Sequence, residues 1–99
     1  MTAVRISEDA LEDVNEGFLF YEAQEAGLGD YFSACLRADI EGLKISAGVH
    51  RVVYHDYHRL LSKLFPYGIF YTLEGDCAVI WAVIDLRKDP DWIRDKLKE

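Results

Sequence analysis

Proline, cysteine and positive charge are all scarce in this 99-residue chain, which has two prolines, two cysteines, and 11 lysines and arginines against 18 acids. Two cysteines cannot make a multi-bridge scaffold, and Cys35 and Cys77 form no CxxC spacing; set within apolar patterns, they read as buried free thiols. The longest apolar run, Cys77 to Ile84, is far short of the roughly 20 residues needed to span a bilayer. The N-terminus turns acidic by Glu8-Asp9 and lacks the apolar core of a signal peptide. A soluble, cytoplasmic protein with no membrane contact is expected. There is no phosphate loop, since Gly27-Leu28-Gly29 follows a helical pattern and lacks the lysine, and there is no Gly-x-Ser-x-Gly elbow.

What is present suits one domain. The apolar fraction of 51% is that of an ordinary globular protein, so neither disorder nor a disulfide scaffold is needed to explain it, and no cofactor is expected. Charge is unevenly placed. Residues 1–49 carry ten acids and three bases, which accounts for the whole net charge of −7, while residues 50–99 balance eight against eight. The front half would repel nucleic acid, whose binding depends on a basic excess, so direct nucleic-acid binding is disfavoured. An acidic surface kept for solubility is the plain reading; a basic partner for the acidic half is the sharper one.

Val4-Arg5-Ile6 reads as a short strand, and Ser7 as the cap of a helix whose first turn is acidic. Leu11, Val14, Phe18 and Tyr21 recur at helical spacing, with Gly17 a weak spot of about 1 kcal/mol relative to alanine. Gly27 is placed to take a left-handed conformation after this helix, and Asp30 to cap the next. The second helix carries Phe32, Leu36, Ile40 and Leu43 and is expected to end at Gly48, making an antiparallel hairpin with the first. Residues 46–56 read as loop. Strands follow at Tyr57–Leu64 and Tyr67–Leu73, the second with Tyr67, Ile69, Tyr71 and Leu73 on one face and Gly68, Phe70 and Thr72 on the other. Glu74-Gly75-Asp76 supplies the turn into Cys77–Ile84, apolar on both faces and so a doubly covered central strand. Pro90 begins a closing helix through Lys98. The expected fold is α+β, a helical hairpin packed on an antiparallel sheet in the order β-α-α-β-β-β-α. The second sheet face would keep aromatic bulk from the Tyr67–Tyr71 strand, and an exposed apolar patch of that kind marks a partner site.

His50, His55 and His58 suggest a metal cluster, but on a strand His55 and His58 would lie on opposite faces, so surface or capping histidines are the reading and no metal is implied. Arg59 and Lys63, four apart on one strand, could gather with Arg87 and Lys88 into a site for a phosphate or carboxylate; the alternative is that they pair with Asp85, Asp89 and Asp91 at the rim.

The chain resembles the RelE/ParE toxin superfamily of type II toxin–antitoxin and plasmid-stabilisation systems of bacteria. The resemblance rests on Phe20-Tyr21-Glu22 closing the first helix, Gly27-Leu28-Gly29-Asp30-Tyr31-Phe32 as the hinge, and His58-Arg59-Leu60-Leu61 before Phe65-Pro66-Tyr67-Gly68-Ile69-Phe70-Tyr71. Arg87-Lys88-Asp89-Pro90 with Trp92 completes it. RelE-type members cut mRNA in the ribosome. Of their catalytic pattern only Arg87 is matched, since Gly68 stands where a second arginine would be and Ile93 where a tyrosine would be. The ParE-like branch fits better. It implies a toxin without catalytic residues that acts on a target such as DNA gyrase and is neutralised by a cognate antitoxin wrapping the hairpin and sheet; a homodimer is compatible with it. Candidate target-binding or anion-binding residues are Arg59, Lys63, Arg87, Lys88 and Trp92. Candidate antitoxin contacts are Phe18, Tyr21, Phe70 and Tyr71. A RelE-type endoribonuclease and a non-toxic binding module are the rival readings.

Overall fold

Ser7 sets the first boundary. In the computed structural model, which describes residues 1–98, β1 (Ala3–Ile6) ends there and the Ser7 hydroxyl accepts from the Ala10 amide at 3.1 Å, starting α1 (Glu8–Gln24). Then come α2 (Leu28–Glu41), α3 (Leu43–Ser46), β2 (Val52–Tyr54) and β3 (Tyr57–Leu61). β4 (Tyr67–Glu74), β5 (Cys77–Asp85) and α4 (Pro90–Leu97) complete the chain. The architecture is α+β, with the helical hairpin on one face of the sheet.

The five strands lie in the order β1-β5-β4-β3-β2. β2 to β5 form an antiparallel meander, but β1 runs parallel to β5, in register from Ala3–Cys77 to Ile6–Ile80, so the sheet is mixed. The parallel pairing follows from topology: β1 leads into α1, the chain returns through the hairpin and meander, and β5 arrives beside β1 in the same direction. β5 is an interior strand buried on both faces, as its apolar run suggests.

Four boundaries differ from the sequence reading. Val52–Tyr54, read as loop, is the edge strand β2; three residues are too few to show a period. β3 stops at Leu61; the Ser62 amide still donates to the Tyr67 carbonyl at 2.9 Å, while its hydroxyl donates to Asp39 at 2.8 Å. The second helix breaks at Gly42 into α2 and α3, and Gly48 (φ 95°) lies beyond both. Asp30 is not a cap: Gly27 (φ 91°) precedes α2, and the carboxylate of Glu22 on α1 accepts from the Gly27 and Gly29 amides at 2.9–3.1 Å. A carboxylate at the positive end of α2 serves the dipole from outside the helix.

The hairpin-side core joins Phe32, Leu36 and Ile40 to Ile69, Tyr71 and Ile80. Opposite, Phe70, Ala82 and Ile84 are sealed by Leu97, with Ile93, Tyr54 and Tyr57 packed around them. The sheet face expected to expose aromatics is therefore covered: Phe70 is 1% exposed beneath α4 and the β2–β3 edge. A bulge interrupts the alternation of β5. Phe70 pairs with Ala82 and Tyr71 with Ile80, leaving Trp81 outside the pairing. Ala78 and Ile80 face the hairpin before the bulge and Val83 after it, so the parity of the strand changes at Trp81.

Candidate functional site

Two glycines bring α1 against α2. A Cβ at Gly17 would lie 2.5 Å from the Phe32 ring, and one at Gly29 would lie 2.6 Å from the Phe18 carbonyl oxygen. The glycine that weakens α1 in isolation is where Phe32 seats. Phe32 in turn meets Tyr21, Phe65 and Tyr67, with ring centroids 4.9–5.0 Å apart, in a mostly edge-on aromatic cluster beneath the hairpin.

The buried face of α1 is built on Ala10, Asp13, Gly17 and Tyr21. The expected Leu11-Val14-Phe18-Tyr21 stripe is rotated from this face: Leu11 is 54% exposed and Phe18 half-buried. Leu11, Val14 and Phe18 instead wall a groove of about 410 Å³ with Leu36 and Ile40 of α2. Asn15, Asp30, Ser33 and Arg37 give it a polar margin. Leu11 is the residue that sequence reasoning misplaced. The signal for the correct face was the pair of small residues, Ala10 and Gly17, seven apart on one side of the helix.

Of the residues considered for partner contact, only Phe18 borders this groove. Tyr21, Phe70 and Tyr71 are 8%, 1% and 0% exposed and belong to the core. Tyr71 also holds the loop after α3: its hydroxyl accepts from the Gly48 amide at 2.9 Å and lies 2.6 Å from His50 Nδ1. His58 stacks on the Tyr71 ring and its Nδ1 donates to the His50 carbonyl at 2.8 Å. Burial, then the neighbouring His58, lowers the His50 pKa, which favours a neutral ring accepting from Tyr71. Burial raises the Tyr71 hydroxyl, more than the Gly48 and His50 contacts lower it. Among the described residues no three His, Cys, Asp or Glu side chains gather as a metal-ligand set.

The five cationic and aromatic candidates divide. Arg87 is forked onto Asp85 (Nε–Oδ1 2.9 Å, Nη2–Oδ2 2.8 Å), which raises the arginine and holds Asp85 below the usual carboxylate range. Lys63 lies beyond the end of β3, with its backbone amide 3.4 Å from Asp39, so the four-residue spacing from Arg59 no longer places both on one strand face. Lys88 lies over the Trp92 ring at 5.1 Å, with Lys96 at 5.8 Å. Arg59 and Lys88 line a common cleft with Arg94, a residue that the sequence reading did not single out.

Asp13 was also missed. Its carboxylate, 8% exposed, accepts from the Val83 amide at 3.0 Å and from Lys96 at 2.8 Å. β1 pairs with β5 only as far as Ile80, so Asp13 satisfies the strand edge past that point and ties α4 to it. Burial works against the Lys96 charge, but the Asp13 hydrogen bond and the nearby Glu16 and Asp9 outweigh it, and its pKa stands above the ordinary value.

No family model matches the chain, and no curated protein matches it in sequence. Solved structures do match. One is a chain of the chromosomal ParDE TA system from P. aeruginosa, 11% identical, with a TM-score of 0.80 over 87% of this chain and 97% of that one. Over the matched 87%, this chain thus shares its fold with a component of a ParDE TA system.

Proposed function

We propose that the chain is the toxin component of a type II toxin–antitoxin pair, ParE-like and non-catalytic, held inactive by an antitoxin segment seated in the α1–α2 groove. The observation that carries this reading is the shared fold with a ParDE chain over nearly its whole length, joined to an open apolar groove on the hairpin. The acidic front half suits an antitoxin segment with basic residues flanking its apolar anchors. DNA gyrase is the proposed target. Support for a non-catalytic mode comes from the side chains themselves. RNA cleavage needs a base for the 2′-hydroxyl and a free charge for the phosphorane. At the three positions of the RelE pattern no such group stands free: Arg87 is forked onto Asp85, Gly68 has no side chain, and Ile93 packs into the small core.

The test is expression of the chain alone and with the small protein encoded beside it, with growth and plasmid supercoiling followed together. Arrest with altered supercoiling, relieved by the neighbour, is expected; unimpaired growth with folded protein present would refute the reading. Leu11→Asp, at an exposed groove position, should leave folding intact and weaken neighbour binding at least tenfold.

A further inference from the structure

We propose that the cleft between β2, β3 and α4 receives a single carboxylate presented beside an apolar residue, the chemistry of an acidic peptide segment. The cleft, about 270 Å³, is lined by the cations Arg59, Lys88 and Arg94 and otherwise by uncharged residues, among them Val53, Tyr54 and Ile93. In a chain with 18 acids and a net charge of −7, this recess collects three cations and, among the described residues, no carboxylate. Two of the three have no ion-pair partner among the described residues, and Arg94 has only a 3.9 Å approach to exposed Asp91.

The cations are also positioned. A Cβ at Gly68 would lie 3.3 Å from Arg59 Cγ and 3.0 Å from Leu86, so the absence of a side chain there gives the Arg59 stem its seat against the sheet. Lys88 stands at the border of the cleft, its ammonium over Trp92 at 5.1 Å on the side of the recess that holds Asp85, so Arg59 and Arg94 are the principal cations of the site. Guanidinium forks match a carboxylate in two parallel hydrogen bonds, which suits Arg59 and Arg94 to a single carboxylate. The apolar lining gives a neighbouring aliphatic side chain somewhere to bury. A polyanion suits the site less well. Its affinity depends on a continuous run of cations, whereas Lys88 is flanked in sequence by Asp85, Asp89 and Asp91. The proposal stands apart from the toxin reading and does not need it.

Calorimetric titration of the folded chain with an acetylated, amidated peptide of alternating leucine and glutamate tests it, at fixed ionic strength and with amide shifts followed by NMR. The peptide should bind and shift the amides of Arg59, Lys88 and Arg94. Its leucine–glutamine counterpart should bind about tenfold more weakly or worse. Arg59→Met, which keeps the stem, should cost a similar factor, and Arg94→Gln, at an exposed helical position, a severalfold loss with unchanged melting. Absent binding, equal binding of the glutamine peptide, or unaltered affinity in both variants would overturn the proposal. So would inorganic phosphate competing as well as the peptide, or oligouridylate binding more tightly through the same residues.

Discussion

Under the hairpin, the sheet meets a continuous core of aromatic and branched side chains drawn from three helices and four strands; under α4, it meets Leu97 and Ile93 closing over Phe70, Ala82 and Ile84. The hairpin layer gains area from helices that approach at glycine contacts. The α4 layer is thin, and its hold is supplemented by one buried polar tie, Lys96 to Asp13 to the Val83 amide. Stability is therefore expected to be graded across the molecule, with α4 opening at lower free energy than the hairpin.

The hairpin side offers the largest expected effect. Phe32→Ala removes a fully buried ring from the aromatic cluster and should cost about 3–5 kcal/mol in urea unfolding. Gly29→Ala should be nearly as damaging, because a backbone oxygen and not a movable side chain opposes the new methyl. If either change were tolerated, the two layers would not differ as described.

Asp13→Ala probes the tie between layers. It strands the Val83 amide and leaves Lys96 half-buried without its carboxylate, for an expected loss of about 2–3 kcal/mol. Hydrogen exchange separates the layers: α4 and Val83 amides should lose protection well before those of α2. Leu97→Ala should release α4 in the same way at about 2 kcal/mol.

A pH series sharpens the comparison at His50. Its pKa is lowered in the folded chain, so the unfolded chain binds more protons between the folded pKa and 6.5. Stability contributed by neutral His50 is complete above 6.5 and declines as pH falls through that window; His50→Gln should flatten this part of the profile. The smallest effect belongs to Arg87→Ala. Its fork to Asp85 is solvent-exposed on the arginine side, and a loss below about 1 kcal/mol is expected.

Much of this fold is legible in the residue pattern, and the gaps have physical causes. The β4 alternation, the Gly75 turn and the Pro90 start each depend on local chemistry, which sequence displays directly. The Leu11 stripe was misplaced because periodicity scores bulk, whereas the hairpin packs on its smallest residues, Ala10 and Gly17. Cover for Phe70 was unforeseen because α4 reads as a short charged helix, and its few apolar residues reveal their role only once the chain folds back. Asp13 looked like part of an acidic helix start, since nothing local says that a strand amide 70 residues away needs an acceptor. Arg59 and Lys88 were picked out by charge, but their union with Arg94 depends on how α4 docks.

Trp81 separates β5 into two lengths whose inward and outward positions are counted independently. Drawing that residue into the ladder opposite Phe70, so that the strand ran straight, would shift every later position by one place. Val83 would then turn from the helical pair toward the C-terminal cover, and Ile84 the reverse. One unpaired tryptophan thus keeps the two halves of the strand in phase with different neighbours.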